Sequence, residues 1–482
     1  MLINIDHKKL KKRIYSQFNI KNKNDFKSLK NKLKDQDVIF KISYQNFFFL
    51  KSQFDYNYRE NSEISFKFKI KKFLNFELLK KKLFTKFKKI KNEIETKLYF
   101  NNVKLDKNIR TIIISKHKYV DEINLIPISQ KIQKNHLILF KSLEIKKNYS
   151  SFFNKNSTKI LLNKSIINIL KGYYFFYKNK KHILENYPLK NISKNDLKNF
   201  YINFFIELEF YKRNFKNINP KNIIGTSFNG YEALVYYFKF YRKIDTKFIA
   251  YEIHGLGGDS CNYFYYLADI LLVPGSIDEK IRKILLKNEL NLLDIPKTKE
   301  VGSVRYYYWV NFLKKKTPIK KNNLNILFIC SNPIYFKKNI EQKAINYLLK
   351  FAKKNKNINF IIKERPKFKN NHYNLNLNNI SLVSKEKYFI EDLIDISDIC
   401  IGTSSSSIVR QAHYYNKNVL QLFHHESHMA KLNQKIEINS YSKFELALNK
   451  IITNKNNFKY NTKELLNKNI NPISKICEFL NN

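Results

Sequence analysis

Cysteine is scarce in this chain: four in 482 residues, at positions 261, 330, 400 and 477. They are too far apart for a disulfide framework, and no pair has metal-ligand spacing. At least two lie in apolar runs, where cysteine behaves as a small hydrophobe. No apolar run approaches the roughly 20 residues that span a bilayer. The opening segment, MLINIDHKKLKKRIY, lacks the uninterrupted apolar core of a secretory signal. These absences lead to the expectation of a cytoplasmic protein, with lysines able to rest it peripherally on the inner face of an anionic membrane. Acidic residues are short as well: 40 Asp and Glu against 90 Lys and Arg leave a formal charge of +50. That imbalance favours nucleic acid, acidic headgroups or phosphorylated substrates as partners. A genome poor in G and C would also enrich lysine, asparagine and isoleucine, so function and composition both stay open as its source.

Several cofactor and metal signatures are incomplete. In YEIHGLGGDS (Tyr251 to Ser260), Gly255 and Gly257 fit a dinucleotide fingerprint, but Ser260 stands at the third glycine position, against a nicotinamide or flavin cofactor. FHHESHMA (Phe423 to Ala430) resembles a zinc-binding HExxH, yet Met429 replaces the second histidine. Asp35-Gln36-Asp37 precedes its expected strand instead of following one, as a turn would. No metal and no resident cofactor are expected.

Apolar material is plentiful. Hydrophobic residues make up 43% and aromatics 15%, enough for a large core and two to four domains. Residues 1–105 read as an α+β region, with strands in Asp37 to Ser52 and Ser62 to Ile70 and a lysine-rich helix over Phe76 to Leu98. From about 106 the rhythm changes to short buried strands alternating with helices. Strands are expected at 110–115, 222–228, 246–253 and 268–276. After a lysine-rich break at 312–323 they resume at NILFICS, 358–366, 380–384, 396–401 and 418–423. Ser442 and Glu445 suggest a capping box for a late helix. Such alternation implies parallel sheets covered on both faces. The expected division is 106–320, 321–455 and a tail or helix over 456–482.

In open parallel sheets, ligands bind beyond the carboxyl ends of the strands. The second unit places Ser331-Asn332, Lys363-Glu364-Arg365 and Thr403 to Ser407 at such ends. Strand-to-helix junctions present unpaired N–H groups to anions, and hydroxyls add donors, so this set would suit a pyrophosphate. The competing reading is a polar linker and ordinary solvated charge. In the first unit His254 follows a strand and precedes Gly255, Gly257 and Gly258. It could act as a general base with room for a substrate, or simply bond a carbonyl. Asp259 could orient it or serve as the base.

Taken in order, these segments resemble the B-type glycosyltransferases (GT-B), closest to the capsule, surface-polysaccharide and teichoic-acid polymerase-like class of bacteria. The likeness runs over roughly 220–425. It is carried by Glu252-Ile253-His254-Gly255, the aspartate-containing strand ADILLVPGS, VGSVR with Arg305, the strand end Lys363-Glu364-Arg365-Pro366, and SDICIGTSSSSIVRQAHYYNKNVLQL. Arg365 stands where that class has a histidine, and Gln411 where many nucleotide-sugar enzymes have a glutamate.

The resemblance implies two Rossmann-like domains, the first for the acceptor and the second for a nucleotide-sugar donor. It implies an inverting transferase acting on a surface polysaccharide or lipid-linked glycan. His254 or Asp259 would be catalytic; Gly255, Gly257, Gly258 and Arg305 would meet the acceptor. Ser331, Asn332, Lys363, Arg365, Thr403, Ser404, Ser405, Ser406, Ser407 and Gln411 would meet the donor. A sugar-nucleotide epimerase or glycerol-phosphate-type transferase of the same fold is the runner-up. A basic nucleic-acid-binding protein using stretches such as SFKFKIKKF is a third, disfavoured because the anion-binding features gather at strand ends and form no continuous basic face.

Overall fold

The computed structural model describes residues 21–34, 107–115, 120–155, 157–162, 166–185, 194–226, 231–251, 268–291, 294–313, 324–330, 339–363, 377–383, 390–403, 417–422, 438–453 and 466–481, with a few isolated positions besides. Among the described residues, twelve strands form two sheets in which every pairing is parallel. The first holds β1 (Thr111–Ser115), β2 (His136–Phe140), β3 (Thr158–Leu161), β4 (Asn222–Gly225), β5 (Lys247–Tyr251), β6 (Ile270–Val273) and β7 (Lys297–Glu300) in the order 3-2-1-4-5-6-7. The second holds β8 (Asn325–Ile329), β9 (Asn359–Lys363), β10 (Ile380–Val383), β11 (Ile399–Thr403) and β12 (Asn418–Leu422) in the order 10-9-8-11-12. In each, the chain starts in the middle, moves outward, then crosses to the other side. This is the doubly wound, Rossmann-like plan, with switch points at β1/β4 and β8/β11.

The strands are apolar because both faces are covered. TIIIS, HLILF and NILFI are buried at every position, as a parallel sheet between helix layers requires. In chain order the helices are α1 (Lys23–Lys34), α2 (Val120–Lys131), α3 (Leu143–Tyr149), α4 (Ile166–Glu185), α5 (Lys194–Asn214), α6 (Glu232–Val235), α7 (Ile277–Lys287), α8 (Val304–Tyr308), α9 (Asn339–Lys354), α10 (Ile390–Ile396), α11 (Tyr441–Thr453) and α12 (Pro472–Asn481). One face of the first sheet packs on α5, α6 and the aromatic π-helical turn Tyr236–Tyr241. The other packs on α2, α3, α8 and α12. The second sheet lies between α9 and α11 on one face and α10 on the other.

The C-terminal helix returns to the first sheet. Ile473, Ile476, Cys477 and Leu480 of α12 join its core, and Asn222 at the start of β4 donates to the Leu480 carbonyl at 3.1 Å.

Some local expectations are corrected. The strand expected from 396 begins at Ile399, because Ile396 closes α10 and Ser397 caps back onto Leu393 through its hydroxyl. The capping residue of α11 is Ser440, whose Oγ accepts from Lys443 N at 3.4 Å; Glu445 instead accepts from Lys354 at 2.7 Å. Ile39, Lys41 and Ile42 are helical, not extended, with Ile42 in the first sheet's core. The strand and helix expected at 62–70 and 76–98 lie outside the described residues, as do Asp35, Asp37, His424 and His428.

Candidate functional site

One row of backbone partners crosses the carboxyl edge of the second sheet: Gln421, Gly402, Ile329, Lys363 and Val383, on β12, β11, β8, β9 and β10 in turn. The switch point falls between Gly402 and Ile329. Both strands leave it into segments expected to meet a ligand: Thr403 into Ser404–Ser407, and Ile329 through Cys330 into Ser331-Asn332. Lys363 ends the neighbouring strand and is buried at 6% exposure. A lysine is rarely that deep unless its charge is answered. Its carbonyl accepts from Cys330 N at 3.2 Å, so pairing continues to the edge.

Cys400, inside β11, is buried, and burial pushes its thiol up to about 12, which disfavours the nucleophilic thiolate.

The first sheet's edge is built differently. At its switch point Gly225 ends β4, and a Cβ there would meet the Tyr231 hydroxyl at 2.6 Å. The buried Tyr231 ring therefore packs over Gly225 on the sheet face that α5 and α6 cover, where a void of about 10 Å³ remains, room for no more than one water. Beside it, Lys141 just past β2 donates to Glu207 at 2.5 Å and to the Tyr211 hydroxyl at 3.3 Å. Burial, and then the Glu207 charge, hold the Tyr211 phenol well above its ordinary range, so it stays protonated. A wide recess of about 600 Å³ lined by Lys107, Arg110, Lys134 and Lys221 lies at the opposite, amino edge, the wrong end of the strands for a doubly wound ligand site.

β5 carries the sequence toward His254 and is anchored three residues before it. Val304 N donates to the Tyr251 hydroxyl at 2.8 Å, which fixes Val301-Gly302-Ser303-Val304-Arg305 against the strand end. Gly302 takes φ +81°, and a Cβ there would crowd the Asn467 carbonyl at 3.2 Å; the left-handed backbone explains the glycine. Ser303 caps α8, accepting from Tyr306 N at 3.2 Å.

α8 then crosses to the second sheet. Arg305 is held by Glu391, and Trp309 Nε1 donates to Asp392 Oδ1 at 3.0 Å. Tyr415 packs against Tyr306 and Trp309 at centroid distances of 5.0 and 5.2 Å. Glu391 and Asp392 are buried in the first turn of α10, where a helix N-terminus favours carboxylates. α8 follows β7 and α10 precedes β11, so this junction fastens the carboxyl edge of one sheet to that of the other. Arg305, expected at an acceptor, is engaged here as half of that clasp. Glu391, Asp392, Trp309 and Tyr415 were missed by the sequence reading. The available signal was thin: the chain's single tryptophan, and a carboxylate pair in a chain poor in acids.

His254, Gly255, Gly257, Gly258, Asp259, Ser331, Asn332, Arg365, Ser404 to Ser407, Gln411 and the Thr403 side chain lie outside the described residues. By chain order, Ser331-Asn332 and Ser404 to Ser407 follow β8 and β11, the two strands of the second sheet's switch point, while Arg365 follows β9 and His254 follows β5. Among the described residues, no group of three or more His, Cys, Asp or Glu could hold a metal ion.

No protein-family model matches the chain, and no curated protein matches it in sequence. Among solved structures, it is similar to UDP-GlcNAc 2-epimerase from Neisseria meningitidis bound to UDP-GlcNAc, at 15% identity over 77% of this chain and 100% of that one, TM-score 0.46. It is similar to the spinosyn rhamnosyltransferase complexed with thymidine diphosphate at 10% identity, 77% and 96% coverage, TM-score 0.39. Arabidopsis thaliana UGT89C1 complexed with UDP gives 9% identity, 77% and 99% coverage, TM-score 0.48. The fold assignment rests on the two strand orders themselves: a two-domain α/β protein with Rossmann-like parallel sheets.

Proposed function

We propose that the chain is a nucleotide-sugar-dependent enzyme, an inverting transferase that moves a glycosyl group onto a surface glycan or lipid-linked acceptor. The observation supporting this is the second sheet's carboxyl edge, where Gly402 of the switch point and the buried Lys363 lie in one row of backbone partners and the sequence after β11 is hydroxyl-rich. N–H groups after β11, hydroxyls of Thr403 to Ser407, and the cations Lys363 and Arg365 would hold a diphosphate there. Ser331, Asn332 and Gln411 would meet the rest of the donor.

In the transfer, an acceptor hydroxyl oxygen attacks the anomeric carbon from the face opposite the nucleotide. The new C–O bond forms as the bond to the diphosphate breaks. The proton passes to His254, or to Asp259 if the histidine only positions the acceptor. The diphosphate leaves with the electron pair, its charge answered by cations and N–H dipoles. Gly255, Gly257 and Gly258 leave the acceptor space against the backbone.

The test is a melting panel with CMP, CDP and GDP, joined by UDP and thymidine diphosphate, the nucleotides of the compared structures. A ligand that binds only the folded chain raises its melting temperature, so one nucleotide should stand out. A screen of the matching nucleotide sugars then separates transfer from epimerisation, which turns over without any acceptor. Stabilisation by nucleic acid alone, abolished steeply by salt, would replace the enzyme reading with a binding one.

A further inference from the structure

The long hairpin between β3 and β4 has an exposed apolar face. α4 has 20 residues and α5 has 21. α5 passes the carboxyl edge at Glu207, where Lys141 meets it just past β2. Just past its end the chain reaches the amino edge near Ile218, whose carbonyl accepts from Arg242 at 2.7 Å. The part of α5 before Glu207, about 20 Å at 1.5 Å per residue, therefore rises beyond the carboxyl edge. α4 runs antiparallel beside it, held by Lys171–Glu209 at 2.8 Å and by Phe175 stacked on Phe205 at 4.7 Å.

Among the described residues, the outer side of α4 is apolar and exposed. Ile166, Ile167 and Leu170 are 65, 64 and 64% exposed, and Tyr173, Tyr174 and Tyr177 continue the stripe. Their spacing is that of a single helix face. Lys171, Lys178, Lys180 and Lys181 are exposed on the same helix, and no acidic residue occurs from Ile166 to Lys181. Lys198 of α5 lies over Tyr173 and Tyr177 at 5.6 and 5.4 Å.

We infer that this face of α4 docks the protein on an anionic lipid bilayer. Aliphatic side chains at one end, tyrosines along the stripe and lysines beside them match the acyl boundary, the headgroup level and the anionic surface in turn. A second copy of the chain is a poor occupant, because a two-fold contact would set lysines against lysines. Nucleic acid would have no use for Ile166, Ile167 and Leu170. The stripe begins at the edge from which the His254 segment leaves, so docking would bring lipid-borne acceptors toward that edge. The inference deepens the lipid-linked acceptor reading and rests on it for this last point only.

Co-sedimentation of the full chain with phosphatidylcholine vesicles, with and without phosphatidylglycerol, tests it with neither nucleotide nor acceptor present, so either reading can fail alone. Binding is expected only to the anionic vesicles. Ile166→Ser, Ile167→Ser and Leu170→Ser combined should lower the partition at least tenfold. Lys178→Glu, Lys180→Glu and Lys181→Glu combined should lower it about a hundredfold, near fivefold or more per lysine. The second set carries the test if the first fails to fold. Wild-type binding that neither set weakens overturns the inference. So does absence of vesicle binding alongside RNA binding, or a concentration-dependent dimer that the serine set dissolves.

Discussion

The two sheets are wound alike and finished differently at their carboxyl edges. At the first switch point, Gly225 makes room for the protein's own Tyr231, and Lys141, Glu207 and Tyr211 satisfy one another. At the second, Gly402 and Ile329 lead into short polar side chains, with Lys363 beside them. One switch point has a phenol packed over its glycine; the other leads, by chain order, into hydroxyl-rich sequence with a buried lysine on the next strand. A doubly wound sheet supplies the position for a ligand, and side chains decide whether the position is used. Under the proposed function, the first sheet would contribute one strand further over, where the chain leaves β5 toward His254.

The sharpest way to break this comparison is to cut the clasp that joins the edges. Arg305→Met leaves Glu391 buried and uncompensated, which costs about 3–5 kcal/mol in such pairs. Thermal or urea unfolding should register that loss, and Arg305→Met with Glu391→Met should recover much of it. A single variant as stable as the parent would mean the clasp does not hold the sheets.

Next in size is His254→Ala. General-base catalysis contributes about 10²–10⁴-fold, so turnover should fall at least a hundredfold with donor affinity little changed. Equal loss of nucleotide binding would make His254 a donor contact, and near-normal turnover would move the role to Asp259 or elsewhere.

Gly225→Ala tests the first switch point. Its Cβ must displace Tyr231, and overpacking of this kind costs about 1–3 kcal/mol. Stability should drop while nucleotide affinity holds; lost affinity would place the ligand at the first sheet instead.

The smallest effects concern protons and metal. Burial, the main cause, holds the His136 imidazole below its ordinary pKa, neutral between Ser129 Oγ at 2.9 Å and the Lys134 carbonyl at 3.1 Å. The unfolded chain takes up a proton there that the native chain refuses. Stability should therefore decline as pH falls below about 6.5 and level off below the lowered native pKa. His136→Gln should flatten that segment of the pH profile; an unchanged slope would assign it to other groups. Activity should largely survive EDTA. Complete loss restored by manganese or zinc would reopen Asp35, Asp37, His424 and His428 as ligands.

The second sheet was the more legible half. NILFI, NFIIK, ICIGT and NVLQL are apolar runs stopped by polar residues, so strands and their carboxyl ends can be read directly. β7, with sequence KTKE, is an edge strand with partly exposed side chains and carries no apolar signal. β2 and β3 went unread: HLILF is a short apolar run that periodicity cannot tell from a helix segment, and TKIL is half polar. The return of α12 to the first sheet was also hidden, since an amphipathic stripe states that a helix is covered but not by what. For the same reason Arg305 could be singled out while its partner Glu391, 86 residues away, could not. Strand ends could be listed from sequence; their convergence depends on the order 10-9-8-11-12, which only the fold supplies.

Hydrogen exchange, with and without the nucleotide that most raises the melting temperature, tests the central claim most directly. Ordered N–H groups at a ligand exchange more slowly. Peptides spanning Ile329 to Asn332 and Gly402 to Gln411 should be protected, and Ser405→Ala with Ser406→Ala should remove that protection and weaken binding at least about tenfold, the loss of charge-assisted bonds worth roughly 1.5–3 kcal/mol each. Protection confined to peptides around Ser115 and Thr226, at the first sheet's switch point, would contradict the account.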